Sequence, residues 1–314
     1  MKGLELSEKY YLEFGAKIIK DEFPEYESVI AAGLTGSGSD CYGYDDEIST
    51  DHDFEPGFIL FLPDESVIDS KTEFRLERAY AKLPKEFMGF KRSLVSAVGG
   101  SRYGVKRIAD FFTEKVGDPD GELSIDAWLK IPSFYFAEAT NGKIFRDDLG
   151  KITAIRNKLL YMPEDITLKK LAGNLILMAQ AGQYNYYRCI KHGEYQASQL
   201  SAVEFVNATL KTVYLLNGKH MPFYKWAFRG LKELSFGAEL NDDLSNLLFG
   251  DNRDETTADG KLFTIESIAE RVIDELKKRG LTSAVCGDIE KHAYSVNDRI
   301  SDPYIRNLNI FSGV

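Results

Sequence analysis

Two aspartates one residue apart, Asp51 and Asp53, follow a Gly/Ser-rich segment, and this combination constrains the chain more than any other feature. On a β-strand, residues i and i+2 point to the same face, so the two carboxylates would lie side by side. Two carboxylates at this distance repel each other unless a cation lies between them. Mg²⁺ prefers oxygen ligands and binds through one or two carboxylates together with substrate phosphates. The pair therefore predicts a metal site for one or two Mg²⁺ ions.

The Gly/Ser-rich segment consists of Gly36, Ser37, Gly38 and Ser39, and it follows an apolar run that reads as a short buried strand, Ser28–Leu34. Glycine leaves the backbone accessible, so bare N–H groups and serine hydroxyls can contact phosphate oxygens. The segment lacks the Gly-Lys-Ser/Thr ending of a Walker loop and the Gly-x-Gly-x-x-Gly fingerprint of a dinucleotide site. We therefore predict a phosphate-binding loop of a third kind.

The spacing of these two elements resembles the signature of the DNA polymerase β-like nucleotidyltransferase superfamily. Thirteen residues separate Gly36-Ser37 from Asp51-His52-Asp53, and Gly38-Ser39 satisfies the spacing equally, which leaves the register open by two residues. The run from Gly36 to Phe58 is similar to a bacterial subgroup of uncharacterised function within that superfamily. Two further segments carry the same similarity: residues 182–188 (GQYNYYR) and 222–226 (PFYKW). The first half also resembles kanamycin nucleotidyltransferase in layout.

The resemblance implies an α+β fold, with a polymerase β-like mixed-sheet catalytic domain over residues 1–155 and an α-helical bundle domain over residues 156–314. It implies transfer of a nucleoside monophosphate from an NTP such as ATP to a hydroxyl group, with release of pyrophosphate. Asp51 and Asp53 would hold Mg²⁺, and the segment from Gly36 to Ser39 would hold the β- and γ-phosphates. The default acceptor is a small molecule.

A third carboxylate on a neighbouring strand completes the site in this fold and can deprotonate the attacking hydroxyl. Leu123–Ile131 alternates in polarity and reads as a strand, which makes Asp126 our candidate for this catalytic role. Asp148 is the alternative. The competing interpretation of Asp126 is an exposed strand residue or a helix N-cap.

In the first half of the chain, residues about 71–84 and 103–115 are helical by pattern. The second half shows helical spacing in the segments 168–190, 201–216, 224–234 and 265–279, and its segment 249–260 is polar and loop-like. Arg188 and Lys225 could neutralise a triphosphate there, and Tyr224 could pack against a base or a substrate ring. The competing interpretation is an ordinary amphipathic helix with solvated cations.

Charge and cysteine content narrow the class of protein. The net charge of −10 disfavours a general nucleic-acid binder, because an acidic surface repels a phosphate backbone. Three widely separated cysteines argue for a reducing compartment and against a disulfide framework. No apolar stretch is long enough to span a bilayer. The sequence therefore predicts a cytoplasmic protein without a membrane partner.

Two alternative functions remain open from the sequence. The first is a nucleotide-binding or regulatory protein that has the fold but little catalysis, such as one half of a toxin–antitoxin pair. The second is transfer of the nucleotide to a macromolecule, either a protein side chain or a tRNA end. Turnover of NTP to pyrophosphate separates the first alternative from an enzyme.

Overall fold

The structure is a computed structural model that describes residues 1–48, 55–92 and 102–314. These residues form two compact units. The first, here called the sheet unit, comprises residues 1–123 and 132–160, and the second, the helical unit, comprises residues 124–131 and 161–314. The predicted boundary at 155/156 falls within the last helix of the sheet unit, Lys151–Leu160.

The sheet unit combines short strands with helices of one to three turns, which are numbered along the whole chain. Its strands are β1 (Ala31–Leu34), β2 (Ile59–Leu62), β3 (Glu86–Phe87), β4 (Phe90–Lys91), β5 (Gly104–Arg107) and β6 (Lys143–Arg146). Its helices are α1 (Gly3–Tyr10), α2 (Ala16–Glu22), α3 (Ser39–Tyr42), α4 (Ser70–Ala81), α5 (Ile108–Val116), α7 (Ser133–Thr140) and α8 (Lys151–Leu160). A π-helical turn, Tyr11–Gly15, joins α1 to α2, and a 3-10 turn follows at Pro24–Tyr26.

Four of the strands form a mixed sheet in the order β5-β2-β1-β6. Strand β1 is antiparallel to both of its neighbours, β2 and β6, whereas β2 and β5 run parallel. Gly33 lies opposite Ile144 in this sheet, and a Cβ at Gly33 would come within 2.8 Å of the Ile144 side chain. A residue without a side chain therefore allows β6 to approach the centre of β1.

The strand directions bring four chain segments to one edge of the sheet. Gly33 pairs with Ile59, Leu34 with Lys143 and Ile59 with Gly104, so β1 ends where β2, β5 and β6 begin. We call this edge the Gly/Ser edge. It consists of residues 35–40 after β1, 55–58 before β2, 102–103 before β5 and 138–142 before β6.

Aromatic side chains fix the chain that leads into β2. The Phe58 ring contacts the rings of Tyr10, Tyr11 and Tyr80, at centroid distances of 5.7, 5.4 and 5.0 Å. The Tyr80 hydroxyl donates to the Phe58 carbonyl oxygen at 2.7 Å and accepts from the Phe58 amide at 3.1 Å. These contacts join α1 and α4 to the sheet and hold the start of β2 in place.

The regular structure of the helical unit, over residues 124–131 and 161–314, consists of helices. They are α6 (Ile125–Lys130), α9 (Glu164–Met178), α10 (Tyr187–Lys191), α11 (Tyr195–Leu216), α12 (Tyr224–Leu231), α13 (Asn241–Phe249), α14 (Glu255–Lys278), α15 (Ile289–Asn297) and α16 (Pro303–Asn307). A π-helical segment, Ala179–Tyr186, joins α9 to α10, and a 3-10 turn at Ala238–Leu240 precedes α13. Helix α9 is buried on nearly all sides, because α11, α15 and α16 pack around it.

The structure corrects three sequence predictions. Leu123–Ile131 is not a strand, because Ser124 caps a helix there and accepts a hydrogen bond from the Ala127 amide at 3.2 Å. The helix predicted over 103–115 begins at Ile108, after β5. The loop predicted over 249–260 ends where Asp254 caps α14, with the Thr257 amide 2.8 Å from its carboxylate.

The fold class is mixed α/β, with a small mixed sheet and many helices, which is compatible with the predicted α+β class. Among the described residues, none of the helices combines the length and the apolar character that a bilayer crossing requires.

Candidate functional site

The segment Gly36–Ser39 follows β1 directly at the Gly/Ser edge. Gly36 adopts φ +135, a conformation that residues with a side chain rarely adopt, and Ser39 begins the short helix α3. Gly36, Gly38 and Ser39 are buried, whereas Ser37 is exposed. The strand predicted to precede the segment is confirmed, although it is shorter, from Ala31 to Leu34.

This segment carries backbone N–H groups that form no hydrogen bond to the described residues. Within the described part of the chain, the N–H groups of Ser37, Gly38 and Ser39 donate no hydrogen bond to another protein group. Gly38 and Ser39 open the short helix α3, where N–H groups have no intrahelical partner, and Ser37 is exposed, so the three N–H groups are open to water or to a ligand. Such a group of amides is suited to binding an anion.

A buried ion pair lies against the segment. Arg102 donates through Nη2 to Asp40 Oδ1, and the Tyr103 hydroxyl donates to Asp40 Oδ2 at 3.4 Å. Burial opposes the charge of Arg102, but Tyr103, Asp40 and Cys41 outweigh it and raise the pKa of the guanidinium. Arg102 is therefore a permanent cation at the Gly/Ser edge.

The Arg102 guanidinium also covers the backbone of Gly38. A Cβ at Gly38 would lie 1.7 Å from Arg102 Nη2 and 2.3 Å from Arg102 Cζ. A side chain at this position would displace the guanidinium, whereas the backbone conformation of Gly38 (φ −72) itself suits any residue. Sequence reasoning missed Arg102, because it follows no motif and precedes a strand that was predicted as a helix.

The predicted metal ligands, Asp51 and Asp53, lie outside the described residues. The chain that follows them, from residue 55 to β2, reaches the sheet at the Gly/Ser edge. Among the residues that the structure describes, no group of three or more His, Cys, Asp or Glu side chains could hold a metal ion. Because that search does not include Asp51 and Asp53, the magnesium site remains a prediction.

Asp126 is placed differently from its prediction. It lies in the first turn of α6, in the helical unit, with 68 % of its side chain exposed, and it forms an ion pair with Lys130 at 2.6 Å. A carboxylate in the first turn is favourable because it interacts with the positive end of the helix dipole. The strand on which its catalytic role was based does not exist.

The alternative third carboxylate, Asp148, follows the end of β6. Because β6 is antiparallel to β1, this end lies at the opposite side of the sheet from Gly36. The Asp148 carboxylate accepts hydrogen bonds from Arg146 at 2.6 and 3.0 Å. The structure therefore does not bring Asp148 to the Gly/Ser edge.

The predicted contacts in the helical unit are exposed and lie next to aromatic rings. The Arg188 guanidinium lies 5.0 Å from the centre of the Tyr184 ring, and Lys225 Nζ lies 4.8 Å from that of Trp226. Tyr224 has 74 % of its surface exposed. Each cation–π pair is local to its own helix, which is what an ordinary amphipathic surface would also show. The nucleotide-binding roles of Arg188, Tyr224 and Lys225 remain predictions.

Comparison with known proteins identifies one matching family model, described as a domain of unknown function (DUF4037), over residues 128–227. The match begins within α6 and ends within α12, so it covers parts of both units. It contains both segments whose similarity to a nucleotidyltransferase subgroup was noted, 182–188 and 222–226, but not the segment Gly36–Ser39. A search of curated proteins found no match.

Proposed function

We propose that this chain is a Mg²⁺-dependent nucleotidyltransferase that moves a nucleoside monophosphate from an NTP to a hydroxyl of a small-molecule acceptor and releases pyrophosphate. One observation carries the proposal: at Ser37, Gly38 and Ser39, three successive backbone amides have no acceptor among the residues that the structure describes, and they lie at the edge where four chain segments of a mixed sheet meet. The spacing from this segment to Asp51 and Asp53 adds the sequence support.

The amides supply hydrogen bonds that suit the β- and γ-phosphates. Phosphate oxygens accept several hydrogen bonds at once, and a run of N–H groups can present them without a side chain in between. The Ser37 hydroxyl is exposed and adds a donor beside the amides. Arg102 places a permanent positive charge against Gly38, where it would offset the negative charge of a bound triphosphate.

Different residues would bind the phosphates and the metal ion. Gly36–Ser39 offers amide and hydroxyl groups, which bind phosphate oxygen, so ligands for a cation must come from carboxylates. Asp51 and Asp53 precede the strand that begins beside the segment, and they would hold the ion. A bound Mg²⁺ would stabilise negative charge on the phosphates and orient them.

The acceptor is the least constrained part of the proposal. Asp126 is no longer our candidate for activating the hydroxyl, because it lies on a helix of the helical unit and pairs with Lys130. A small molecule remains the proposed acceptor, since the net charge of −10 opposes an extended contact with RNA.

Thermal shift with each of the four NTPs, with and without Mg²⁺, tests the proposal. A ligand that binds only the folded state raises the melting temperature. We expect stabilisation that requires Mg²⁺ and that is lost in the double variant Asp51→Asn/Asp53→Asn. The matched control is Asp118→Asn/Asp120→Asn, which also removes two carboxylate charges. These residues lie in a surface turn, where the Asp120 amide donates to Asp118 Oδ1 at 3.0 Å.

Binding should be followed by an assay for pyrophosphate release with pools of small hydroxyl compounds. Release that depends on an acceptor and on Asp51 and Asp53 supports the transferase. Stabilisation by NTP without release in any pool supports the non-catalytic, regulatory alternative. No stabilisation of the folded wild-type protein by any NTP contradicts both.

A further inference from the structure

We propose that Asn141 is the positioning residue that holds the segment Gly36–Ser39 in its phosphate-binding conformation, an inference that rests on the proposed function. Asn141 lies between α7 and β6, and no motif in the sequence marks it as functional. It reaches the segment because β6 begins at the edge where β1 ends.

The segment needs an external support because of Gly36. Glycine visits many backbone conformations and loses more entropy than any other residue when it is fixed. Among residues 1–48, 55–92 and 102–314, no atom lies within 4 Å of the position that a Cβ of Gly36 would occupy, so packing by these residues does not hold it at φ +135. Hydrogen bonds to its backbone must do so.

The Asn141 carboxamide binds both polar groups of Gly36. The Gly36 amide donates to Asn141 Oδ1 at 3.0 Å, and Asn141 Nδ2 donates to the Gly36 carbonyl oxygen at 2.7 Å. That carbonyl shares a rigid peptide plane with the N–H group of Ser37. The direction of the first unpartnered amide is therefore set by the side chain of Asn141.

Asn141 is itself held by neighbouring residues. Arg156 Nη2 donates to the carbonyl oxygens of Thr140 and Asn141 at 2.6 and 2.7 Å, and the Asn141 amide donates to the Ala137 carbonyl at 2.9 Å. Burial lowers the pKa of Arg156 to about 10, so it remains charged at neutral pH and keeps all its donors. These contacts fix the backbone of Asn141, and the Thr35 hydroxyl donates to Asn141 Oδ1 at 3.0 Å, which limits the positions of the side chain.

Gly142 supports the helix α3 that follows the segment. Its amide donates to the Cys41 carbonyl oxygen at 2.9 Å, while Arg102 lies against Gly38. The segment is thus held at its start and middle, and the helix after it is held as well, before any ligand binds. Preorganisation of this kind strengthens binding because less order has to be created in the complex.

Two measurements on Asn141→Ala test the inference. The first is hydrogen exchange of the Gly36 amide, whose acceptor is removed, and the second is calorimetric affinity for Mg²⁺-pyrophosphate and for each Mg²⁺-NTP. We expect at least tenfold faster exchange at Gly36, with the amides of β1 and β2 still protected, and about tenfold weaker binding. The matched control is Asn217→Ala in the helical unit, whose side chain donates to the Val213 and Phe236 carbonyls at 2.8 Å. If Asn141→Ala does not fold, Asn141→Ser is measured in the same way.

The outcomes separate this inference from the proposed function. Faster exchange with weaker binding supports both. Unchanged exchange at Gly36, or faster exchange with binding equal to that of the wild type, overturns the role of Asn141 and leaves the proposed function standing. A folded wild-type protein that binds neither pyrophosphate nor NTP overturns the proposed function, and the role of Asn141 in binding with it.

Discussion

Gly142 shows how much of the Gly/Ser edge depends on single residues without side chains. It adopts φ +66, and a Cβ at this position would lie 2.0 Å from the Leu34 carbonyl oxygen at the end of β1. No rearrangement of a flexible side chain can relieve that overlap, because the obstacle is backbone. Residue 142 therefore keeps β6, α3 and the end of β1 together.

We expect Gly142→Ala to lower the free energy of unfolding by about 3 kcal/mol or more, since overlap with backbone adds to the strain of a positive φ. Gly150→Ala is the control, because Gly150 has φ +67 but nothing lies within 4 Å of its Cβ position. That variant should lose only about 1 kcal/mol. Urea denaturation measures both, and equal losses would show that the contact with Leu34 does not matter.

The contact between Gly38 and Arg102 leads to a prediction about binding rather than stability. Gly38→Ala should displace the guanidinium, which is the flexible end of a side chain, at a cost of less than about 1 kcal/mol in unfolding free energy. Both Gly38→Ala and Arg102→Gln should weaken Mg²⁺-NTP binding. If they act through the same contact, the double variant binds no more weakly than Arg102→Gln alone. Additive losses in calorimetry would contradict this.

At the residue scale, the sequence singled out the segment Gly36–Ser39 but not the residues that support it. Gly36–Ser39 could be predicted because glycine and serine after an apolar run are a local pattern. Arg102 and Asn141 could not, because Arg102 pairs with Asp40 across 62 positions of the chain and Asn141 binds Gly36 across 105, through strand pairing that the sequence did not reveal.

At the element scale, α6 shows why a short segment can mislead. The nine residues from Leu123 to Ile131 alternate in polarity, but they also carry a serine N-cap and pack Trp128 and Leu129 into the helical unit. In a helix of six residues, the helical period of 3.6 cannot be distinguished from the strand period of two. Longer elements were predicted well: the helix expected over 71–84 is α4, Ser70–Ala81, and that expected over 201–216 lies within α11, Tyr195–Leu216.

The position of Asp126 on α6 gives a prediction of no functional effect. Asp126→Asn should bind Mg²⁺-NTP and release pyrophosphate as the wild type does, and it should lose about 0.5 kcal/mol of stability through the weaker interaction with the helix dipole. Ser124→Ala, which removes the N-cap, should lose about 1 kcal/mol. Steady-state kinetics and urea denaturation give the two quantities. A large loss of turnover in Asp126→Asn would restore Asp126 as a catalytic residue.

At the scale of the whole molecule, the helical unit contains a buried cation that makes stability depend on pH. Lys170 on α9 donates to the carbonyl oxygens of Leu129 and Gly313 at 2.8 and 3.2 Å, and it is 9 % exposed. Burial, with a smaller contribution from Lys211, lowers the pKa of Lys170 from 10.5 to about 8. Above pH 8 the folded state loses this proton while the unfolded state still binds it.

The contribution of Lys170 to the free energy of unfolding should therefore increase as the pH rises from about 8 to about 10.5. Between about pH 7.5 and 9.5 the gain is about 2 kcal/mol. It is measured as the difference between the wild type and Lys170→Met in urea denaturation, so that other titrating groups cancel. A difference that stays constant with pH would show that Lys170 keeps an ordinary pKa when folded.

The chain enters the helical unit at α6 and returns to the sheet unit for α7, β6 and α8. From residue 161 onward it belongs to the helical unit. During translation, α6 is complete at Lys130, whereas its partner helix α9 ends at Met178, 48 residues later. At a synthesis rate of about 5–20 residues per second, this interval lasts about 2–10 s. The sheet can close in that time, because β6 emerges within it. Trp128 and Leu129, meanwhile, lack their partner helix α9, which leaves α6 accessible to a chaperone at the ribosome throughout this interval.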